Sequence, residues 1–331
     1  MDHSPAGSRL VPHWLHGWAV LTVCAAVPLV LLGAEVTTKQ VGMVDRVGFR
    51  PPWHLLSVPF RALGLGYLIE HAHRLAGFLV GTCSIVLAVG LWLKARHPLL
   101  RWMGWVALAA VSLQGVLGIF RVDLDYLFGP NLALVHGLFA QVTFAVLVSV
   151  AVMTSRAWAG AAVTDPALRR LALGFAILVY VQIAFGALVR HLTSRPAQRA
   201  HVLFAFVVVA AAVWLLRAVW EQKRDRPLRR TAVLLGALLV LQLGLGVEAW
   251  VGRFGSGVLP EHMNSPNLAL DAVRSGHFVI GTLLFATAVA LALLSYRPGL
   301  TQLRIADRGS RTASESAIRN PQSAIGVGST L

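Results

Sequence analysis

The chain has 331 residues, 56% of them hydrophobic and 13% charged, with a mean hydropathy of +0.69 and a formal charge of +15. A soluble domain is about one quarter charged, so this composition excludes a soluble globular protein and points to a polytopic membrane protein. Nucleic-acid binding is excluded as well. It needs basic residues clustered on a soluble face, whereas here they are scattered through short loops and the C-terminal tail.

Apolar runs long enough to cross a bilayer, about 20 residues, fall at 15–36, 70–93, 102–121, 131–153, 168–190, 198–217, 230–252 and 271–295. They predict an all-α integral membrane protein with eight transmembrane helices. The longest polar separator runs from Thr37 to Ile69. The first run mimics a signal peptide, but it is long for one, carries Pro28 and lacks an A-x-A cleavage site. A retained first helix is expected. Cys24 and Cys83 lie inside apolar runs and form no CxxC motif, so they read as small core hydrophobes.

Most basic residues fall on one side: Arg9, Lys94, Arg96, Arg101, Arg156, Arg169, Arg170, the group from Arg217 to Arg230, and the tail from Arg297. The positive-inside rule then puts both termini in the cytoplasm of a multi-pass protein of the cell membrane. The tail 298–331, rich in Ser, Arg, Ala and Gly, is expected to be disordered.

An internal repeat orders the runs. The third carries Gln114 and Gly118, the fifth Gln182 and Gly186, the seventh Gln242 and Gly246, each a Q-x-x-x-G near the outer end. The first has Leu29 and Gly33 at the matching places. Each even run opens with a histidine: His73, His136, His201 and His277. The chain therefore reads as two pseudo-symmetric four-helix bundles, 1–155 and 156–297, and repeated membrane halves place functional sites at equivalent positions.

Four histidines at one level, two per half, suit axial ligation of haem iron by neutral imidazole. Zinc fits less well, because a closed zinc site wants four ligands. Of the other histidines, His3, His13, His16, His54, His97 and His262 read as solvated, while His71 and His191 are ambiguous. Helical spacing puts Glu70 and His73 on one face, continuing through Ala76, Gly77, Val80, Gly81 and Ser84. His71 leads a bulky face with Arg74, Leu75, Phe78 and Leu79, suited to lipid or interhelical filling. Glu70 is either a helix-start carboxylate favoured by the dipole or an acid/base group one turn from an iron ligand. Arg74, Arg121, Arg190 and Arg199 lie near the outer level, where arginines neutralise haem propionates or solvate in headgroups; Arg74 and Arg199 are the candidate propionate contacts.

These residues resemble the haem A synthase family. The resemblance covers about 15–295 and rests on "EHAHRLAGFLVG", on "GVLGIFRV" followed by "ALVHGLFAQ", and on "RSGHFVIGTLL". It implies conversion of haem O to haem A for terminal oxidases, by oxidation of a porphyrin methyl to a formyl through successive hydroxylations and loss of water from a gem-diol. It further implies that His73 and His136 bracket the substrate haem, that His201 and His277 hold a haem b for electron transfer, and that Glu70 assists the chemistry. Implied partners are the lipid bilayer, a haem O synthase as supplier, the terminal oxidase under assembly and an electron acceptor of unspecified kind. The chain departs from many members in having no cysteine between Cys24 and Cys83, and it resembles the cysteine-free branch. The sixth run reads Arg199, Ala200, His201 and so lacks the His-Arg dipeptide found at His73.

Two other function classes stay open on the residues. A di-haem electron-transfer cytochrome would need the four histidines but not Glu70, and a haem-free transporter built on repeated halves would need neither.

Overall fold

The structure, a computed structural model, describes residues 10–57, 64–160, 165–222, 225–254 and 268–297. His3, His262 and the tail beyond Arg297 lie outside the described residues. Within them the chain forms α1 (His13–Thr38), α2 (Pro52–Ser57), α3 (Leu65–Lys94), α4 (Pro98–Asp123), α5 (Asp125–Phe128), α6 (Pro130–Met153), α7 (Arg156–Ala159), α8 (Pro166–Leu192), α9 (Arg195–Glu221), α10 (Arg226–Phe254) and α11 (Leu268–Tyr296), and no strand. Eight of these, α1, α3, α4, α6, α8, α9, α10 and α11, are long and apolar enough to cross a bilayer.

Each span contains its predicted run and extends past it, because a backbone entering lipid must satisfy its own hydrogen bonds. Proline marks several starts. Pro98, Pro130 and Pro166 occupy first helical positions, where a missing N–H costs nothing. The side chains of Asp165 and Ser194 cap the two halves of the α8–α9 hairpin by accepting from the amides of Ala167 and Ala197. The largest extension is at α3, which begins at Leu65 with Gly64 as its cap. Glu70 is thus in the second turn and His73 in the third, not at the helix mouth.

The spans form two rings of four. In the first, α1 packs on α3, α3 on α4, α4 on α6 and α6 on α1; in the second, α8, α9, α10 and α11 repeat that cycle. The rings meet through α6–α8, α1–α11 and α6–α11, a set that maps onto itself when the rings are exchanged. The two cores obey the same exchange. Ala145 of α6 is buried in the core of the second ring and Ala286 of α11 in that of the first, and these alanines stand at the same distance past His136 and His277. Helix α11, with 67% of its most apolar window buried, is the central element.

Lipid gives spans no hydrophobic drive to associate, so small residues that allow close approach decide the contacts. At Gly104 an added Cβ would lie 3.0 Å from the Cα of Ala88, which brings α4 hard against α3. The rings are further joined at the end where α1 and α8 finish. There Lys39 Nζ pairs with Asp271 Oδ2 at 2.8 Å, Thr38 Oγ1 meets Ser275 Oγ at 3.1 Å, and Arg190 Nη2 donates to the Ala34 carbonyl at 2.7 Å.

Candidate functional site

The four histidines lie at this same end of the bundle, each seated on the glycine of the preceding span. A Cβ on Gly33 would stand 2.9 Å from His73 Cε1, one on Gly118 3.3 Å from His136 Cε1, and ones on Gly186 and Gly246 3.0 Å from Cε1 of His201 and His277. The repeated glycine and the repeated histidine, separate signals in the sequence, are two sides of one contact.

The residue one turn before each glycine completes the seat. His73 Nδ1 donates to the Leu29 carbonyl at 3.1 Å, and His201 Nδ1 to the Gln182 carbonyl at 3.1 Å. A carbonyl only accepts, so Nδ1 carries the hydrogen in both neutral rings and Nε2 is the nitrogen that could serve as a metal ligand. His136 and His277 are held through side-chain amides instead. Gln114 Nε2 lies 3.2 Å from both ring nitrogens of His136 and donates to its carbonyl at 3.1 Å, while Gln242 Nε2 lies 3.3 Å from His277 Nε2. Oε1 of Gln114, Gln182 and Gln242 is buried without a partner among the described residues.

His201 and His277 lie edge to face with ring centres 6.3 Å apart and planes at 85°. Two imidazoles each bound through one nitrogen at ~2 Å hold their ring centres about 6 Å apart, so these two residues are spaced as a pair that could hold one metal ion. Among the described residues no three His, Cys, Asp or Glu side chains converge. Paired donors suit a metal whose other ligands come from a macrocycle. In the first ring His136 lies within electrostatic range of His73. Below His73, Cβ atoms on Gly77 and Gly81 of α3, and on Gly115 of α4, would meet nothing within 4 Å.

Glu70 is 3% exposed and engaged on both oxygens. Its Oε2 accepts the amides of Val44 and Asp45 at 3.0 Å, and its Oε1 accepts from Arg74 Nη2 at 2.6 Å. Although Glu70 and His73 share α3, their hydrogen bonds run to different elements, the 39–51 segment and α1. Arg74 also donates to the carbonyls of Asp45, Val47 and Gly48. Arg199 is exposed.

The 39–51 segment is thereby bound down over α3 and α4. Asp45, 6% exposed, accepts from Arg50 Nε and Nη2 and from the Val47 amide. Burial raises its carboxyl pKa, but the Arg50 and Val47 hydrogen bonds and the nearby Arg74 charge prevail and hold it below the usual carboxylate range. Gly48 donates to Asp123 of α4 at 2.8 Å.

His71, expected on a face for lipid or interhelical filling, is 2% exposed beneath this segment. It stacks on Tyr67 at 3.6 Å, and its Nε2 lies 3.5 Å from Asp45 Oδ2. Its neighbours became visible only once the polar segment had folded back. His191, the other ambiguous histidine, reaches from α8 to α6, where a Cβ on Gly137 would stand 3.3 Å from its Nε2.

The family model of the cytochrome oxidase assembly proteins, COX15-CtaA, matches residues 5–148 and 66–198 in two overlapping stretches. These contain Glu70, His73, Arg74 and His136, whereas His201 and His277 lie beyond them. No curated protein matches the chain. With eight spans and the matched stretches together running from 5 to 198, the chain belongs to the COX15-CtaA family of cytochrome oxidase assembly proteins, the haem A synthase family.

Proposed function

We propose that this membrane protein oxidises the porphyrin methyl of haem O to a formyl, giving haem A. The first half, 1–155, takes the substrate haem between His73 and His136, and the second half, 156–297, holds a haem b between His201 and His277. The supporting observation is the pair of equivalent histidine couples, each imidazole seated on a glycine at one end of the bundle. A methyl-to-formyl conversion exchanges two hydrogens for one oxygen atom and gives up four electrons in all; a haem b held in the second half would pass electrons one at a time to an external electron acceptor.

The chain's own residues do the rest. Leu29 and Gln182 set the Nδ1–H tautomers, so that Nε2 of His73 and of His201 is offered as donor. The open space beside Gly77 and Gly81 admits a planar ring with an apolar tail from the lipid. Glu70, one turn from His73, handles the proton at the first site by exchanging a loop amide for the substrate. Both termini are cytoplasmic and the sites face outward, in keeping with the basic residues on the opposite side. Haem O synthase is the supplier and a terminal oxidase the recipient.

A second reading has a specific observation in its favour. The engagement of both Glu70 oxygens by the 39–51 segment and Arg74 gives Glu70 a structural task, which suits a di-haem electron-transfer cytochrome that needs no acid/base group there. Pigments extracted from the purified protein and weighed by mass spectrometry test the assignment: haem b with haem O or A is expected. His201→Ala and His277→Ala should each remove the resident haem b, and full retention in both would exclude that pair as ligands. Glu70→Ala should keep the haem b spectrum and stop formation of haem A; unchanged product favours the cytochrome.

A further inference from the structure

Arg121, in the last turn of α4 and within electrostatic range of His73 and His136, has a guanidinium that meets no hydrogen-bond acceptor and no carboxylate within ion-pair distance among the described residues. Its surroundings explain why. Glu70, whose charge acts on it, is already held by Arg74 and two loop amides. Two guanidinium groups thus approach one carboxylate, and Arg74 has it. Arg121 lies within electrostatic range of His73, His136, His191, Glu70, Arg74 and Asp125. The 39–51 segment closes over it so tightly that a Cβ on Gly42 would collide with the guanidinium.

The repeat isolates this charge. The positions equivalent to Arg121, three residues past the repeated glycine, are Val36, Val189 and Ala249. A cation inside a membrane span is costly and marks a function unless something nearby pairs with it. Five N–H donors in a planar fork match a carboxylate in two-point contact.

We propose that Arg121, lying under Gly42 beside His73 and His136 with its guanidinium unmatched, binds a carboxylate of the substrate at the first site. In the reading given above, on which this rests, that carboxylate is one propionate of the porphyrin. In the second ring the equivalent position is Ala249, so an arginine at this place of the repeat is particular to the first site. Arg74, committed to Glu70 and three loop carbonyls, holds the cover of the site and leaves the ligand to Arg121.

The test titrates iron protoporphyrin IX and its dimethyl ester, in which both propionates are uncharged, into the purified full-length protein, following the Soret band. Wild-type protein should hold the diacid roughly tenfold or more tighter than the ester at one binding step, as expected for a charge-assisted contact. Arg121→Gln should abolish that preference at the same step, and Arg121→Lys should keep part of it. An Arg121→Gln protein that discriminates like wild type overturns the assignment, as does a wild type that binds acid and ester equally. If Arg121→Gln loses its helical circular dichroism, Arg121→Lys decides: a reduced preference supports the seat and an unchanged one refutes it. A wild-type protein that binds neither compound refutes the haem reading itself, and the Arg121 assignment with it.

Discussion

His73 Nδ1 donates to the Leu29 carbonyl across the α1–α3 contact at 3.1 Å, over a gap of 44 residues in sequence. Its counterpart in the second ring is the bond from His201 to Gln182. Both rings are oriented by main chain, which no side-chain substitution removes. What substitution can remove is the space in which the imidazole sits.

Gly33→Ala should therefore impair the first site and Gly186→Val the second. An added Cβ stands 2.9 Å from His73 Cε1 in one case and 3.0 Å from His201 Cε1 in the other, so the ring must swing and Nε2 loses its aim. Haem content per chain, measured by extraction, should fall at least severalfold for Gly186→Val, with helical content unchanged. A variant loaded like wild type would show that the glycine seat is not needed.

Gln182→Leu should be mild, because the first repeat already has leucine at that place and its carbonyl still holds His73. The substitution removes the bond from Gln182 Nε2 to the His201 carbonyl at 2.9 Å and also an unpartnered Oε1. A loss of about 1 kcal/mol or less is expected, with the haem spectrum kept. Loss of the spectrum to the extent seen in His201→Ala would mean that the side chain, not the carbonyl, orients His201.

His71→Ala should lower thermal stability without removing haem. The ring is buried against Tyr67 under the 39–51 segment, and emptying such a place costs about 2 kcal/mol or more. His71→Phe, which preserves the stack, should recover most of the melting temperature in detergent. Loss of haem in both variants would instead make His71 a ligand.

The hold on the 39–51 segment should depend on the Asp45 charge. A carboxyl with its folded pKa below its unfolded value contributes stability above that unfolded value, about 3.9, and loses it as pH falls toward the folded one. Protease cleavage within 39–51 should be equally slow at pH 7 and pH 5 and should quicken only below about pH 4. Asp45→Asn should be cleaved roughly tenfold faster already at pH 7, having lost charge-assisted bonds. Equal cleavage of both proteins at pH 7 would remove Asp45 from this role.

The bridge from Lys39 to Asp271 spans the two rings yet should matter little. Its hydrogen bond to Asp271 raises the Lys39 pKa against a smaller lowering by burial, so the lysine stays charged. Both side chains remain about a quarter exposed, at 21% and 26%, and exposed pairs are worth about 0–1 kcal/mol. Asp271→Asn should shift the melting temperature by no more than a degree or two, and a large drop would show that the rings are held together chiefly by this pair.

The eight spans and their grouping into two related sets of four were legible in the amino-acid sequence, because the length of an apolar run is a one-dimensional property that a bilayer reads directly. The same holds for the recurring glutamine, glycine and histidine, which are matters of residue type and interval. Only the tertiary structure decided that the glycine of one span receives the histidine of the next, and that Leu29 serves as well as glutamine through its carbonyl. Those relations depend on how far each helix is rotated against its neighbour, and in lipid that rotation is set by interlocking small residues and not by apolarity. The places of Glu70, His71, Arg74 and Arg121 were equally hidden. A polar segment such as 39–51 has no periodicity to declare where it will fold back, yet its amides and carbonyls determine which of those charges are satisfied within the chain and which is left to meet a ligand.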